Sequence, residues 1–131
     1  MQRKKFEKER FEKDMIIENE TAYCAYDATP VSLWHCLVIP NRHITSFFEL
    51  SDEELCQIYD LIKKAKNILQ EKFSPNWYNI WINDGVAAGR SVHHLHIHII
   101  PRYDGDVANP TWWVRNIIPW KWDYTKNFIR E

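Results

Sequence analysis

Ser91-Val-His-His-Leu-His-Ile-His-Ile-Ile100 gathers four of the chain's six histidines into ten residues. Read as a β-strand from Val92 to Ile100, the segment sends successive side chains to opposite faces. His94, His96 and His98 then project together, while Leu95, Ile97 and Ile99 point the other way into a core. At a rise of ~3.3 Å per residue the three imidazoles stand about 7 Å apart along one face. His93 falls on the opposite face and reads as structural.

Working outward, Asn83-Asp-Gly-Val-Ala-Ala-Gly-Arg-Ser91 is small and rich in donors, as a loop must be if backbone N–H groups and a hydroxyl are to approach an anion. Before it, Tyr78–Asn83 (YNIWIN) alternates like a strand, entered through the turn Ser74-Pro75-Asn76. Ser51-Asp-Glu-Glu54 carries the capping-box pattern that starts a helix. Leu55, Ile58, Tyr59, Ile62, Ala65, Ile68 and Leu69 then recur at helical spacing as far as about Phe73. Trp34–Ile39 (WHCLVI), closed by Pro40, has the length of a buried strand containing His35, and Thr21–Ala28 is a further strand. Residues 3–14 mix both charges with Phe6 and Phe11, and Met15 follows, the pattern of a solvated helix laying a narrow apolar stripe on the body. Strands on both sides of one long helix, without βαβ alternation, predict an α+β fold. It has a mainly antiparallel sheet of about five strands, one long helix and an extra N-terminal helix over 1–15. With 131 residues the chain reads as a single domain, 104–131 forming a C-terminal tail.

Charge narrows the function. Seventeen Lys and Arg against eighteen Asp and Glu leave a formal net charge of −1, so no broad basic field exists for nucleic acid or an anionic membrane. Cys24, Cys36 and Cys56 show no CxxC spacing, which argues against a disulfide framework or a cysteine-built zinc site and reads as buried thiols in a reducing compartment. No apolar run reaches the ~18 residues of a membrane span, and the charged N-terminus lacks a signal-peptide core. The expected location is cytoplasmic.

Three uses of the histidine face compete. Two of the three, with His35 or His43, could ligate a metal. A merely structural cluster gains little, because neighbouring imidazoles that protonate together repel. Nucleophilic catalysis on a phosphate would employ one neutral imidazole as attacker while its neighbours fix its tautomer and bind oxygens. The donor-rich loop directly upstream favours this last reading.

His94-Leu-His-Ile-His-Ile-Ile100 resembles the H-φ-H-φ-H-φ-φ signature of the histidine triad family of nucleotide hydrolases and transferases. Glu20–Ser32, His35–His43, Gly85–Gly89 and Ile100–Pro110 are similar to its bacterial branch often described as diadenosine polyphosphate hydrolase-like, over about residues 16–125. The resemblance implies that His96 is the nucleophile, forming a covalent nucleotidyl intermediate at the α-phosphate, with His94 and His98 flanking it and His35 contributing from the neighbouring strand. It implies that Asp27 meets the ribose hydroxyls beside an apolar base slot, and that Asn83, Gly89, Arg90 and Ser91 lie near the phosphates. A purine nucleotide partner, no required cofactor or metal, and a homodimer paired through the long helix and an edge strand follow from it. Arg90 stands where the family usually has Gln, which would favour more anionic substrates. Many relatives begin with a cysteine-bearing segment that contributes to a zinc site; a charged segment replaces it here, so no structural zinc is expected. The competing class is a binding or interaction protein: a nucleotide-binding module with little turnover, or one that engages a partner or a membrane surface through the Trp-rich tail from Thr111 to Tyr124.

Seven Trp and three Gly form a second anomaly, since average usage of about 7% would supply roughly nine Gly. Trp34, Trp77, Trp81, Trp112, Trp113, Trp120 and Trp122 all fall where the family pattern carries Gly. That coincidence is expected if the source organism reads UGA as Gly and the sequence was translated with UGA as Trp. Positions with φ > 0, such as the residue after Pro75-Asn76, should then hold strained indoles.

Overall fold

The computed structural model describes residues 5–112 and 114–119. Five strands form one antiparallel sheet in the order β1-β2-β3-β5-β4, with β1 Met15–Glu18, β2 Ala22–Tyr26, β3 Cys36–Pro40, β4 Trp77–Trp81 and β5 Ile97–Arg102. The helix α1, Asp52–Phe73, crosses one face. The expected α+β architecture is present.

α1 starts where Ser51 accepts from the Glu54 N–H while the Glu54 carboxylate takes the Ser51 N–H, so two orphan donors are satisfied reciprocally. It ends at Ser74, whose left-handed backbone (φ 49°) turns the chain toward β4. Ile58, Leu61, Ala65 and Leu69 are its buried stripe, packed on Ala22, Cys24, Cys36, Val38, Ile97 and Ile99 of the sheet. Leu55 and Tyr59, at helical spacing but outside that stripe, remain exposed.

The opposite face carries a second core of Tyr23, Ala25, Leu37 and Ile39, closed by Phe6 with Phe11, Met15 and Val92. Residues 5–14 do not form a long amphipathic helix. Lys8–Asp14 is a single 3₁₀ stretch, and the chain then enters β1, a strand that the sequence pattern does not announce. Met15-Ile-Ile-Glu18 lacks an alternating pattern, and its strand character comes from pairing with β2.

The last strand also begins later than expected. Regular pairing starts at Ile97, and His94 to His96 precede it in an irregular segment pinned by the Leu95 N–H on the Ile44 carbonyl, 2.7 Å away. Alternation nonetheless persists, because Val92, His94 and His96 all lie on the Phe6 side while Ile97 and Ile99 meet α1. Pro40 ends β3 as its last paired residue. Cys24 and Cys36 are buried free thiols, whereas Cys56 is exposed on α1, contrary to the expectation that all three are buried. No helix among the described residues is long and apolar enough to cross a membrane. Trp113 and residues 120–131 of the expected tail lie outside the described residues, and 110–112 and 114–117 form 3₁₀ turns.

Candidate active site

Register assembles the site. Leu37 pairs with His98 across β3 and β5, so His35, one alternate position back along the chain, rises beside His98 on the same face. Asp27 follows β2, and its N–H donates to the His35 carbonyl at 2.9 Å. A cleft of about 400 Å³ opens there, lined by Asp27, Ser91, His96 and His98 on its polar side and by Phe6, Phe11 and Leu37 on its apolar side. That volume suits a small-molecule ligand.

The hydrogen-bond partners fix each imidazole's tautomer, since a ring nitrogen facing a carbonyl must carry the proton and one facing an N–H must not. His96 Nδ1 donates to the His94 carbonyl at 2.8 Å, which leaves the Nε2 lone pair of this cleft-lining ring as its nucleophilic atom. His94 Nδ1 accepts the Phe6 N–H at 3.2 Å, and its Nε2 donates to the Pro40 carbonyl at 2.8 Å. His35 Nδ1 accepts the Val31 N–H at 3.1 Å, so its Nε2 proton points to His98 Nδ1, 2.9 Å away. His98 in turn holds its own proton on Nε2.

Burial favours neutral rings throughout. It lowers the pKa of His35, His94 and His96, and it pushes His98 down to about 4, with further opposition from His96 and His35. Asp27 acts the other way on His35, His96 and His98. A neutral His96 is the form that can attack phosphorus.

The remaining residues divide. Ser91 lines the cleft. Gly89, in the left-handed region at φ 90°, lets the loop close on itself: the N–H groups of Ala88, Gly89 and Arg90 bond to the carbonyls of Gly85 and Val86. Those three donors therefore hold the loop's shape instead of facing an anion. Arg90 spends its terminal nitrogens on the Thr45 carbonyl and His93 Nδ1, both at 2.9 Å, and does not line the cleft. Asn83 stands beyond the end of β4, where its Oδ1 accepts the Trp81 indole N–H. His93 is a partner of Arg90, and His43 reaches the His93 carbonyl while its ring stands against His94.

Phe6 and Phe11 are the residues that sequence reasoning missed. Phe6 is 9% exposed and meets the His96 ring edge-on at 5.1 Å, with Phe11 5.7 Å behind it. The available signal was an aromatic pair in a short charged run, which fits the apolar stripe of a solvated helix equally well.

Asp27, His35 and His98 offer three ligand atoms within 4.8 Å of one another. Chemistry argues against a metal there. His35 Nδ1 is committed to the Val31 N–H, so the Nε2 that would have to ligate carries the proton.

The HIT domain family model matches residues 8–105. An uncharacterized HIT-like protein of Methanocaldococcus jannaschii is 40% identical over 92 residues, 70% of each chain. An asymmetrical bis(5'-nucleosyl)-tetraphosphatase of Schizosaccharomyces pombe is 39% identical over 79 residues, 60% of this chain and 43% of that protein. The crystal structure of a HIT family protein from Bacillus anthracis superposes with a TM-score of 0.67 at 34% identity, over 70% of this chain and 65% of that one. Alternating histidines on one sheet face, the matched stretch and the shared fold agree: the chain belongs to the histidine triad, or HIT, family.

Proposed function

We propose that the chain cleaves a nucleoside 5'-phosphoryl bond, in a dinucleoside polyphosphate or a nucleoside phosphoramidate, through a covalent nucleotidyl-histidine. One observation carries the reading: His96 lines the cleft as a neutral ring whose Nδ1 proton is tied to the His94 carbonyl. Its Nε2 lone pair forms the bond to phosphorus, the bond to the leaving group breaks with its electron pair, and a proton from the neighbouring imidazoles meets the departing atom. Water then attacks phosphorus, and the bond to His96 Nε2 breaks with its electron pair returning to the ring. The water's proton goes back to the imidazole that gave one up, so both rings are restored and a nucleoside monophosphate is released. The route uses no cofactor.

The cleft's two sides suit the two parts of such a substrate. Phe6, Phe11 and Leu37 form an apolar wall for a purine, while Asp27 and Ser91 supply polar groups for ribose and phosphate. The relative named a tetraphosphatase supports the polyphosphate class. Exposed Tyr59 on α1 and Ile80 on β4 line one shallow groove, which supports pairing of two copies through that face.

The test is release of a nucleoside monophosphate from substrate panels of both classes, with alkaline quenching and mass analysis of the peptide carrying His96. Wild type is expected to turn over and to carry one added nucleotidyl group. His96→Ala should lose activity on the order of 10⁴-fold or more. Tight binding of AMP by a wild type that releases no product would overturn the enzyme reading in favour of a nucleotide-binding module.

A further inference from the structure

His35 Nε2 has two acceptors within reach. It lies 2.9 Å from His98 Nδ1 and 3.6 Å from Asp27 Oδ2. The other Asp27 oxygen is spoken for, since Oδ1 accepts the Thr29 N–H at 2.8 Å and the Thr29 hydroxyl at 3.2 Å. Oδ2 therefore faces the histidine pair as the carboxylate's less committed oxygen, with its side chain only 14% exposed.

The pair as folded has no place for an additional proton. His35 Nδ1 is held by the Val31 N–H, and His98 Nδ1 is held by the His35 Nε2 proton. Protonating His98 on Nδ1 sets two N–H groups head to head unless the His35 proton finds another acceptor. Burial and the neighbouring rings oppose the charge as well.

We propose that Asp27 is a positioning residue of this relay: when His98 takes up a proton, the His35 Nε2–H transfers its hydrogen bond from His98 Nδ1 to Asp27 Oδ2. No covalent bond other than N–H is made, and the added proton comes from solvent. The charged His98 is then the group that can meet a leaving atom, with the carboxylate as counter-ion. The role goes beyond the ribose contact that the family resemblance implies, and its catalytic meaning rests on the proposed function.

Asp27 comes from the turn after β2 and His96 from the segment before β5, and the Arg90 charge acts on His96 from the upstream loop. β4 contributes uncharged Trp81, paired with His98. The face toward α1 is closed by Cys36, Ile97 and Ile99, all buried. Among these described residues Asp27 supplies the negative charge.

Histidine ring nitrogens report the hand-over directly. In ¹⁵N-labelled free protein, Asp27→Asn keeps an Oδ1 acceptor for the Thr29 N–H and replaces Oδ2 with a donor. The midpoint of the His35–His98 pair should fall by about one pH unit, a tenfold smaller protonated fraction at a given pH, while that of His94 stays. In turnover, the alkaline limb of kcat should move to lower pH. Unmoved ring titrations, with KM raised equally at every pH, would show that Asp27 serves the ribose alone and would overturn the proposal. Because the titration needs no substrate, it decides this question even if wild type proves to have no turnover.

Discussion

The histidine face and the tryptophan positions on the same sheet are held by different means. On the histidine face three rings are fixed by backbone partners, His94 between Phe6 and Pro40, His96 on the His94 carbonyl and His35 on Val31, and His98 is held by the His35 ring. The indoles are less integrated. Trp77 is 63% exposed on the edge strand, and Trp34 is 40% exposed at the turn before β3. Side chains whose polar atoms are bound to main chain cannot be replaced without loss, whereas an exposed indole contributes mainly the surface it happens to cover. Disturbing the first region should therefore cost more than disturbing the second.

The largest stability effect is expected at Phe6. Its ring touches Phe11, His94 and His96, and its N–H fixes the His94 tautomer. Phe6→Ala should cost about 3 kcal/mol in a denaturant melt. It should also raise KM roughly tenfold, since the ring is one wall of the cleft and ~1.4 kcal/mol of lost contact is tenfold in affinity. A melt shifted by less than about 1 kcal/mol would place the N-terminal segment outside the cooperative fold and break the contrast.

Acid should come next. Four histidines have folded pKa values below the ordinary one, so the unfolded chain binds more protons as pH falls. Stability is thus full above about pH 6.5, the unfolded value, and is lost as pH drops toward the His98 value of about 4. A thermal scan should show Tm falling across that window, by about 4 °C for each kcal/mol lost. Replacing Lys66 or Lys72 on α1 should leave the slope alone, and His98→Gln should flatten it.

Much of this was legible in the chain, and the failures have physical causes. α1 was readable from Ser51 to Phe73 because both its cap and its stripe are local. β1 and the start of β5 were not, because Met15–Glu18 becomes a strand only against β2, and His94 to His96 are shaped by bonds to Phe6, Pro40 and Ile44 far along the chain. The histidine alternation survived that error, since side-chain direction outlasts regular pairing. Arg90 and Gly89 matched phosphate positions in sequence, but their groups are turned inward by partners no spacing could announce.

The smallest effect belongs to Trp34, where the glycine question becomes sharp. Among the described non-glycine residues only Trp34, at φ 68°, and Ser74 are left-handed. Trp77, expected to be strained after Pro75-Asn76, is not among them, because Ser74 makes that turn instead and Trp77 already belongs to β4. Nor is Trp81, which has a partner for its indole N–H in Asn83. The left-handed conformation costs an indole-bearing residue about 1–2 kcal/mol. Against this, the Trp34 ring stacks on Phe73 at 3.9 Å, and such contacts contribute about 0.5–1.5 kcal/mol. The ring also meets Tyr26 at 5.3 Å, so relief of the backbone strain offsets only part of the lost contact. Trp34→Gly should therefore cost about 1–2 kcal/mol, where a buried Trp would cost about 3–5 on truncation to Ala. A tryptophan in a conformation suited to glycine fits a codon read as Gly in the source. The underlying DNA should then carry TGA at position 34, and a TGG there would assign the strained indole to the protein itself.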